Sequence, residues 1–280
     1  MSYTKKVFLV SGIIAVVVFV LFTMAALLGN PVSYFLVKHN AQQHLQETYT
    51  ETDYTISDVV YHFKDGNYYV KVVSPSSEDS TFFLAYSLSG KFLKDSFTQQ
   101  VVRRYNTYER LNSEYTQLVQ SVFSSEGFPI ETDTAYGRLR QLREADTDHL
   151  ELDFGIPTSE LKLDGEYDVR ELGSQFGSIV FYAYDEEVTV ERASELMFTI
   201  RQALSKANVP FYALTFHLQK PLNADGTPNA DSTSIDVIDF LYSDLYSYEL
   251  ESRVGGAARR AAAMLEQQTA GQAEDAAQTE

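Results

Sequence analysis

Two serine-containing segments have residue types that could carry out acyl transfer. Ser159 and Lys162 have the S-x-x-K spacing of a serine nucleophile with a lysine base, but no K-T-G or S-D-N accompanies them. Ser174 lies between Gly173 and Gly177, one place too early for the G-x-S-x-G turn of a hydrolase. Because both patterns are incomplete, we assign no catalytic residue and predict that the protein is not an enzyme.

Histidine and acidic side chains could bind a metal ion, but their spacing does not form a site. The chain has no cysteine and no H-E-x-x-H, which argues against zinc. The loop at 223–231 holds four oxygen-bearing side chains, but it lacks the D-x-[DN]-x-[DN]-G order and the final Glu of a calcium loop. We interpret it as a polar surface loop. We expect His62 and His217 to be packed or hydrogen-bonded in strands, and His39 and His44 to lie on a helix surface.

The sequence therefore predicts no metal site. It also contains no P-loop and no G-x-G-x-x-G, so no nucleotide cofactor is expected.

The chain is acidic, with 39 Asp and Glu residues against 22 Lys and Arg and a formal net charge of −17. Residues 1–30 hold two of the basic residues and none of the acidic ones, so the rest of the chain carries −19. Such a surface repels nucleic acid and anionic lipid headgroups, and we expect no nucleic-acid partner. Solubility accounts for the charge; the alternative is binding of a cation or a cationic partner.

Two charged groups have predicted positions within this acidic chain. Arg138, Arg140 and Arg143 lie close together, and we expect them on an exposed strand or helix near acidic side chains. The acidic group at 185–187 comes just before a predicted helix, where negative charge is favourable.

An uncharged apolar run from Val7 to Leu28 predicts a transmembrane helix over 7–28. A helix of that length rises about 33 Å, enough to cross the hydrocarbon core of a bilayer. Lys5 and Lys6 precede the run, so we expect residues 1–6 in the cytoplasm and the domains outside it. The predicted location is thus the cell membrane, with a single pass and extracytoplasmic C-terminal domains. The alternative is a cleaved signal peptide.

The first α+β domain is predicted over residues 30–123. Asn30 and Pro31 are a capping residue and a first-turn residue, and they predict a helix to about Thr48. Four alternating strands follow as an antiparallel meander, with a hairpin turn at Asp65-Gly66. The apolar stripe of a helix over 99–123 is expected to lie across this meander, giving helix, four strands and helix.

The second α+β domain is predicted over 134–250, including a strand at 149–154. A strand apolar on both faces, a helix that starts after Thr189 and two further strands form a β-α-β-β unit. We interpret this unit as part of a ferredoxin-like sandwich with the last two strands antiparallel. Residues 255–280 form an Ala/Gln/Glu-rich tail, predicted to be helical over 257–267 and disordered over the last dozen residues.

Six extended segments of the chain are distinctive. Three lie in its first half: GNPVSYFLVKHNAQQHLQETY, YHFKDGNYYVKVVSP and NTYERLNSEYTQLV. Three lie in its second half: EYDVREL, YDEEVTVERA and NVPFYALTF. The first three resemble the N-terminal domain, and the last three the C-terminal domain, of the YfjL-like family of bacterial membrane-anchored proteins. The resemblance covers roughly 29–253. It implies a membrane-anchored bacterial protein with two domains, and it carries over no functional residues because no activity of the family is established.

The leading hypothesis for function is a non-catalytic binding or regulatory module of the cell envelope. Its expected partners are the membrane, through the N-terminal helix, and a protein or envelope component. Two well-patterned cores without a complete catalytic motif support this hypothesis. The alternatives are a membrane-tethered hydrolase with an unidentified Asp, Glu or Ser site and a structural envelope protein.

Overall fold

The structure is a computed structural model that describes residues 29–142, 154–223, 225–227 and 229–277, together with Ile13, Val16 and Thr23. These residues divide into two compact units. The first takes in the described residues up to Thr107 and the segment Ser159–Gly165; the second takes in those of Tyr108–Thr158 and Glu166–Glu280. Each unit contains one four-stranded sheet with helices, so the chain has an α+β fold.

Helix α1 of the first unit, Pro31–Thr48, begins where the sequence predicts it. The Asn30 side chain accepts a hydrogen bond from the Ser33 backbone N–H at 2.8 Å, which satisfies one of the unpaired donors of the first turn. Its buried side chains recur every four residues: Ser33, Val37, Ala41 and Leu45. This spacing places a narrow, mainly apolar side of the helix against the sheet of the same unit.

The first sheet is an antiparallel meander of four strands in the order β1-β2-β3-β4. The strands are Thr55–His62, Asn67–Ser74, Ser77–Tyr86 and Phe92–Asp95. Gly66, in the predicted turn between β1 and β2, has a φ of 69°, which glycine adopts without a Cβ clash. Alternate side chains of β2 and β3 form one core with α1: Tyr68, Val70, Val72, Phe82, Leu84 and Tyr86.

The second sheet has the order β5-β6-β7-β8. Its strands are Ala135–Leu139, Gly177–Tyr184, Ala213–Gln219 and Ser234–Leu241. Strands β6 and β7 are parallel, whereas β5 and β8 run antiparallel to their neighbours. The helices that follow in chain order are α2, Tyr105–Phe123; α3, Val169–Phe176; α4, Val190–Lys206; and α5, Leu250–Ala277.

Helix α2 packs against the second sheet, not the first as predicted. Its Thr116 hydroxyl donates to the Gly137 carbonyl at 2.9 Å, and its Val119 lies so close to Gly137 that a Cβ there would clash. The boundary between the units lies between Thr107 and Tyr108, whereas the predicted first domain extended to residue 123. An apolar stripe establishes that a helix is buried, but it does not identify the sheet that buries it.

The second unit is not ferredoxin-like. Strands β6 and β7, joined through α4, are direct neighbours in register from Ser178 with Ala213 to Tyr184 with Gln219. A split β-α-β arrangement would place another strand between them. The predicted antiparallel pairing of the last two strands, β7 and β8, is present. The alternation of side chains along the strands and the helix between them are the same in both arrangements. The sequence pattern therefore did not distinguish one arrangement from the other.

Within the described part of the chain, no helix is both long enough and apolar enough to cross a membrane. Helix α5 has the length, at 28 residues, but Glu251, Arg253 and other charged residues occur along it. This finding contradicts two predictions: the transmembrane helix over 7–28 and the single-pass membrane location with extracytoplasmic domains. Apart from Ile13, Val16 and Thr23, that range lies outside the described residues.

Two further predicted segments differ from the structure or lie beyond it. Helix α5 continues to Ala277, so the predicted tail is helical well past residue 267, where the sequence predicted disorder. The predicted strand at 149–154 lies, except for Phe154, outside the described residues.

Candidate functional site

The second sheet has one face in the core and one face that is only half-buried. Side chains alternate along a strand, so neighbours in sequence point to opposite faces. Core-facing side chains of β6, β7 and β8 are completely buried: Ile179, Phe181, Leu214, Phe216, Leu218 and Val237. The side chains that alternate with them at one end of the sheet are named here the outer face: Tyr182, Tyr184, His217, Gln219, Ser234 and Asp236.

His217 occupies the centre of the outer face. In the register of the sheet, Tyr182 on β6 is opposite His217 on β7, which is opposite Asp236 on β8. The rings of Tyr182 and His217 stack with centroids 4.3 Å apart and planes at 20°. The His217 Nδ1 lies 2.7 Å from a carboxylate oxygen of Asp236, and the two side chains are 22% and 26% exposed. These contacts fix the imidazole ring while leaving it accessible to a ligand.

Asp236 connects His217 to Ser234. Its second carboxylate oxygen accepts a hydrogen bond from the Ser234 hydroxyl at 2.7 Å. The pKa of Asp236 is lowered, mainly by the hydrogen bond from His217 and also by that from Ser234, against an opposing effect of burial. Because the carboxylate lies between the serine and the histidine, the serine hydroxyl is bonded to an acid and not to the base that would activate it.

Tyr184 brings a second carboxylate to the outer face. Its hydroxyl donates to the two carboxylate oxygens of Asp133, at 3.2 and 3.3 Å. Burial, followed by the interaction with Asp133, raises the pKa of the Tyr184 hydroxyl. The tyrosine therefore stays a hydrogen-bond donor at neutral pH.

The carboxylates of Asp133 and Asp236 interact with neutral or weakly basic donors. Among the described residues, neither forms an ion pair with a lysine or an arginine. Elsewhere in the same unit, Asp185 pairs with Arg192 at 2.7 Å and Asp239 pairs with Arg140 at 2.8 Å. The outer face thus carries negative charge that no Lys or Arg described in the structure neutralises.

Arg140, which the sequence predicted to be exposed, is buried with Asp239. The two side chains are 9% and 4% exposed. The Arg140 guanidinium carbon lies 4.3 Å from the ring centroid of Phe154, and Asp239 also contacts the Thr215 hydroxyl. Asp239 has a φ of 48°, at the irregularity in the β7–β8 pairing. We interpret this pair as structural because both charges are enclosed and paired.

The serines singled out by sequence are not brought into a catalytic arrangement. Ser159 lies in a short 3-10 turn, and both Ser159 and Lys162 are exposed. Ser174 lies within α3 and donates to the Glu171 carbonyl of its own helix at 2.7 Å. The Ser174 hydroxyl is thus bonded within a helix, whereas the G-x-S-x-G turn places its serine at the end of a strand.

The acidic loop at 223–231 uses its carboxylates within its own turns. Asp225 accepts from the backbone N–H and the hydroxyl of Thr227, and these bonds lower the pKa of Asp225. Asp231 bonds Thr233 in the same way. Within the described residues, no group of three His, Asp or Glu side chains is placed to hold a metal ion.

The sequence predicted that His217 is packed or hydrogen-bonded in a strand, but it did not identify a partner. The signal was present in part, since Phe216 and Leu218 on either side of His217 predict that it faces away from the core. Asp236 and Tyr182 come from other strands, and only the register of the sheet places them beside it.

Comparison with known proteins gives two matches to family models. The model "YfjL-like, N-terminal domain" matches residues 4–100, and the model "YfjL-like C-terminal domain" matches residues 114–255. The stretch between the two matches includes the boundary that separates the two compact units. No curated protein and no solved structure matches the chain. Since the two family models together cover most of its length, the chain belongs to the YfjL-like family, as its sequence segments indicated.

Proposed function

We propose that this protein is a non-catalytic binding or regulatory module, and that the outer face of the second sheet contacts a protein partner. The observation that carries the proposal is the stack of Tyr182 and His217, which is ordered by Asp236 and partly exposed. Tyrosine is enriched where interfaces derive most of their binding energy, because its rigid ring gives large contact area at little entropic cost. The side chains on the opposite face of the same sheet are buried in the core, so the outer face is the side available to a partner.

The hydrogen bonds of the outer face support binding over catalysis. Ser234 donates to Asp236, so the serine, carboxylate and imidazole are not in the order that transfers a proton from serine to histidine. The side chains are instead held in fixed positions before any ligand arrives, and such preorganisation lowers the entropic cost of association.

The proposal can be tested with a photocrosslinking amino acid in the full chain. Gln219→p-benzoylphenylalanine places the crosslinker on the outer face, and Glu191→p-benzoylphenylalanine places it on exposed helix α4 of the same unit as the control. We expect an adduct with one cellular protein from the Gln219 position only. The adduct should disappear in a second variant, Tyr182→Ser, whose folding is checked by circular dichroism.

Two results would contradict a binding role for this surface. One is the absence of an adduct from the Gln219 position. The other is an adduct that forms equally well from the control position or that persists without the Tyr182 ring.

A hydrolase is the second candidate, because Asp236 orients the His217 ring as a carboxylate does for a general base. Asp236 contacts the Nδ1 of His217, so Nε2 is the ring nitrogen that would act as the base. Hydrolysis of activated esters by the purified chain, abolished by His217→Gln, would favour this candidate. Activity that is unchanged in His217→Gln would assign the hydrolysis to a contaminant or to another site.

A further inference from the structure

The outer face combines aromatic rings with two carboxylates that, among the described residues, form no ion pair with a lysine or an arginine. Asp133 is exposed beside Tyr184, and Asp236 is 26% exposed beside His217 and near Tyr182. Their hydrogen-bond donors are a phenol, an imidazole and a serine hydroxyl, and two of these three groups cannot carry a positive charge. A tyrosine ring attracts a cation to its face, and a nearby carboxylate strengthens that attraction.

Basic residues lie on the strands that carry the outer face or directly after them. Arg138 is at the opposite end of β5 from Asp133, in register with Ser178. Lys220, directly after β7, is directed at Glu186, whose carboxylate lies 3.8 Å from its amino group. The charge of the whole chain, −17, adds an attractive field for a cationic partner and a repulsive one for a second copy of this chain.

The positions of Asp133 and Asp236 in the sheet define a spacing that the charged groups of a ligand would have to match. Asp133 precedes β5, and the adjacent Thr134 carbonyl accepts from the Tyr182 N–H, so Asp133 lies level with Tyr182 and Tyr184 across the sheet. Asp236 lies on β8, three strands away in the sheet order. Neighbouring strands are about 4.8 Å apart, which puts the backbones of Asp133 and Asp236 roughly 14 Å apart. An extended segment rises about 3.3 Å per residue, so its side chains at positions i and i+4 point the same way and span about 13 Å.

We propose that the partner of the outer face is a basic segment in extended conformation that crosses the strands. Two of its cationic side chains, four residues apart, reach Asp133 and Asp236. The chain between them covers the rings of Tyr182 and His217. This inference rests on the proposed function, because it names the chemistry of the partner that the same surface would bind.

The test uses the full chain and a seven-residue peptide of glycine and serine with arginine at positions 2 and 6, labelled with an uncharged dye. Fluorescence anisotropy measures its affinity against two control peptides. One has arginines at positions 3 and 4, with the same charge but the wrong spacing, and the other has glutamate at positions 2 and 6. We expect the spaced arginine peptide to bind at least fivefold more tightly than the adjacent one, and the glutamate peptide not to bind.

Variants of the protein locate the binding. Asp236→Asn and Asp133→Asn should each weaken the spaced peptide about tenfold, whereas Asp133→Glu, which keeps the charge, should retain most of the affinity. Asp225→Asn removes one acidic charge from a surface loop of the same unit and should change the affinity less than twofold. Equal affinity for the three peptides, or equal losses in Asp225→Asn and Asp236→Asn, would overturn the inference.

The failure of this inference can be distinguished from the failure of the proposed function. If the crosslinker at Gln219 captures a protein through a segment without basic residues, and the arginine peptide does not bind, the surface binds a partner but not a basic one. If neither the crosslinker nor the peptide gives a signal, both the basic partner and the binding role are refuted.

Discussion

The buried pair of Arg140 and Asp239 gives the sharpest test of how the second unit is held together. Its nitrogen and oxygen are 2.8 Å apart, and the side chains are 9% and 4% exposed. At an effective dielectric constant of about 20, two unit charges at this distance attract by about 6 kcal/mol. Desolvation of both ions offsets most of that attraction, so the intact pair contributes little. Removal of one partner takes a buried counter-charge from the other, at a cost of about 3–5 kcal/mol.

The substitution Asp239→Asn removes the charge and keeps the size of the side chain. Asparagine also tolerates the left-handed backbone of this position, where φ is 48°, so backbone strain does not contribute. A loss of about 4 kcal/mol corresponds to a fall of about 2 M in the urea midpoint if the slope is about 2 kcal/mol per M. Circular dichroism follows the unfolding, and hydrogen exchange measured by mass spectrometry assigns the loss to the second unit.

The matched control is Asp185→Asn, which breaks an ion pair of similar length in the same unit. The partner of Asp185, Arg192, is 37% exposed, so water replaces the lost contact and the expected cost is below about 1 kcal/mol. The double variant Arg140→Met with Asp239→Asn removes both charges of the pair and should recover at least half of the loss. The reasoning is refuted if Asp239→Asn costs no more than the control, or if the double variant is less stable than Asp239→Asn alone.

Three further predictions concern single contacts. Gly173→Ala should destabilise the second unit by about 1–3 kcal/mol in urea unfolding, although alanine favours helices. The reason is that the new Cβ would clash with the Tyr115 ring and lie 2.8 Å from the Pro210 carbonyl oxygen. An unchanged free energy of unfolding would contradict this packing. Tyr68→Phe should lower the stability of the first unit by about 1–2 kcal/mol in thermal unfolding, because the hydroxyl accepts from the N–H of Asn30 and donates to its carbonyl, each at 3.0 Å. An unchanged stability would contradict the role of these two hydrogen bonds. The pKa of Asp236 is lowered from its usual value of 3.8, so the ionised carboxylate stabilises the folded chain. Wild type should therefore be more stable than Asp236→Asn above about pH 5, and this advantage should disappear as the pH falls below 3.8. Urea midpoints from pH 3 to 7 measure the difference, and an advantage that grows on acidification would refute the prediction.

Local features were predictable because their causes lie within a few residues. The cap at Asn30, the glycine turn at Gly66 and the cap at Thr189 each depend on bonds to residues close by in the chain, and all three are present. The apolar stripe of α2 was also predicted, but its partner was not, because many sheets could bury the same stripe.

The candidate site shows the same limit. His217 was expected to be packed or hydrogen-bonded in its strand, but Asp236 lies beside it through the register of β7 and β8, which the sequence pattern did not specify. Arg140 was expected at the surface because arginine is almost never fully buried without a partner, and its partner, Asp239, is 99 residues away.

The sequence by itself determined the family, the acidic charge, the order of α1 and the four strands of the first unit, the order of β6, α4, β7 and β8 in the second, and the caps at Asn30 and Thr189. These properties follow from composition and from interactions between near neighbours. The tertiary structure alone decided which sheet α2 covers, that β6 and β7 lie side by side, and that Tyr182, His217 and Asp236 form one row. Such contacts join residues far apart in the chain. Their choice depends on how whole faces pack together, which no local pattern records.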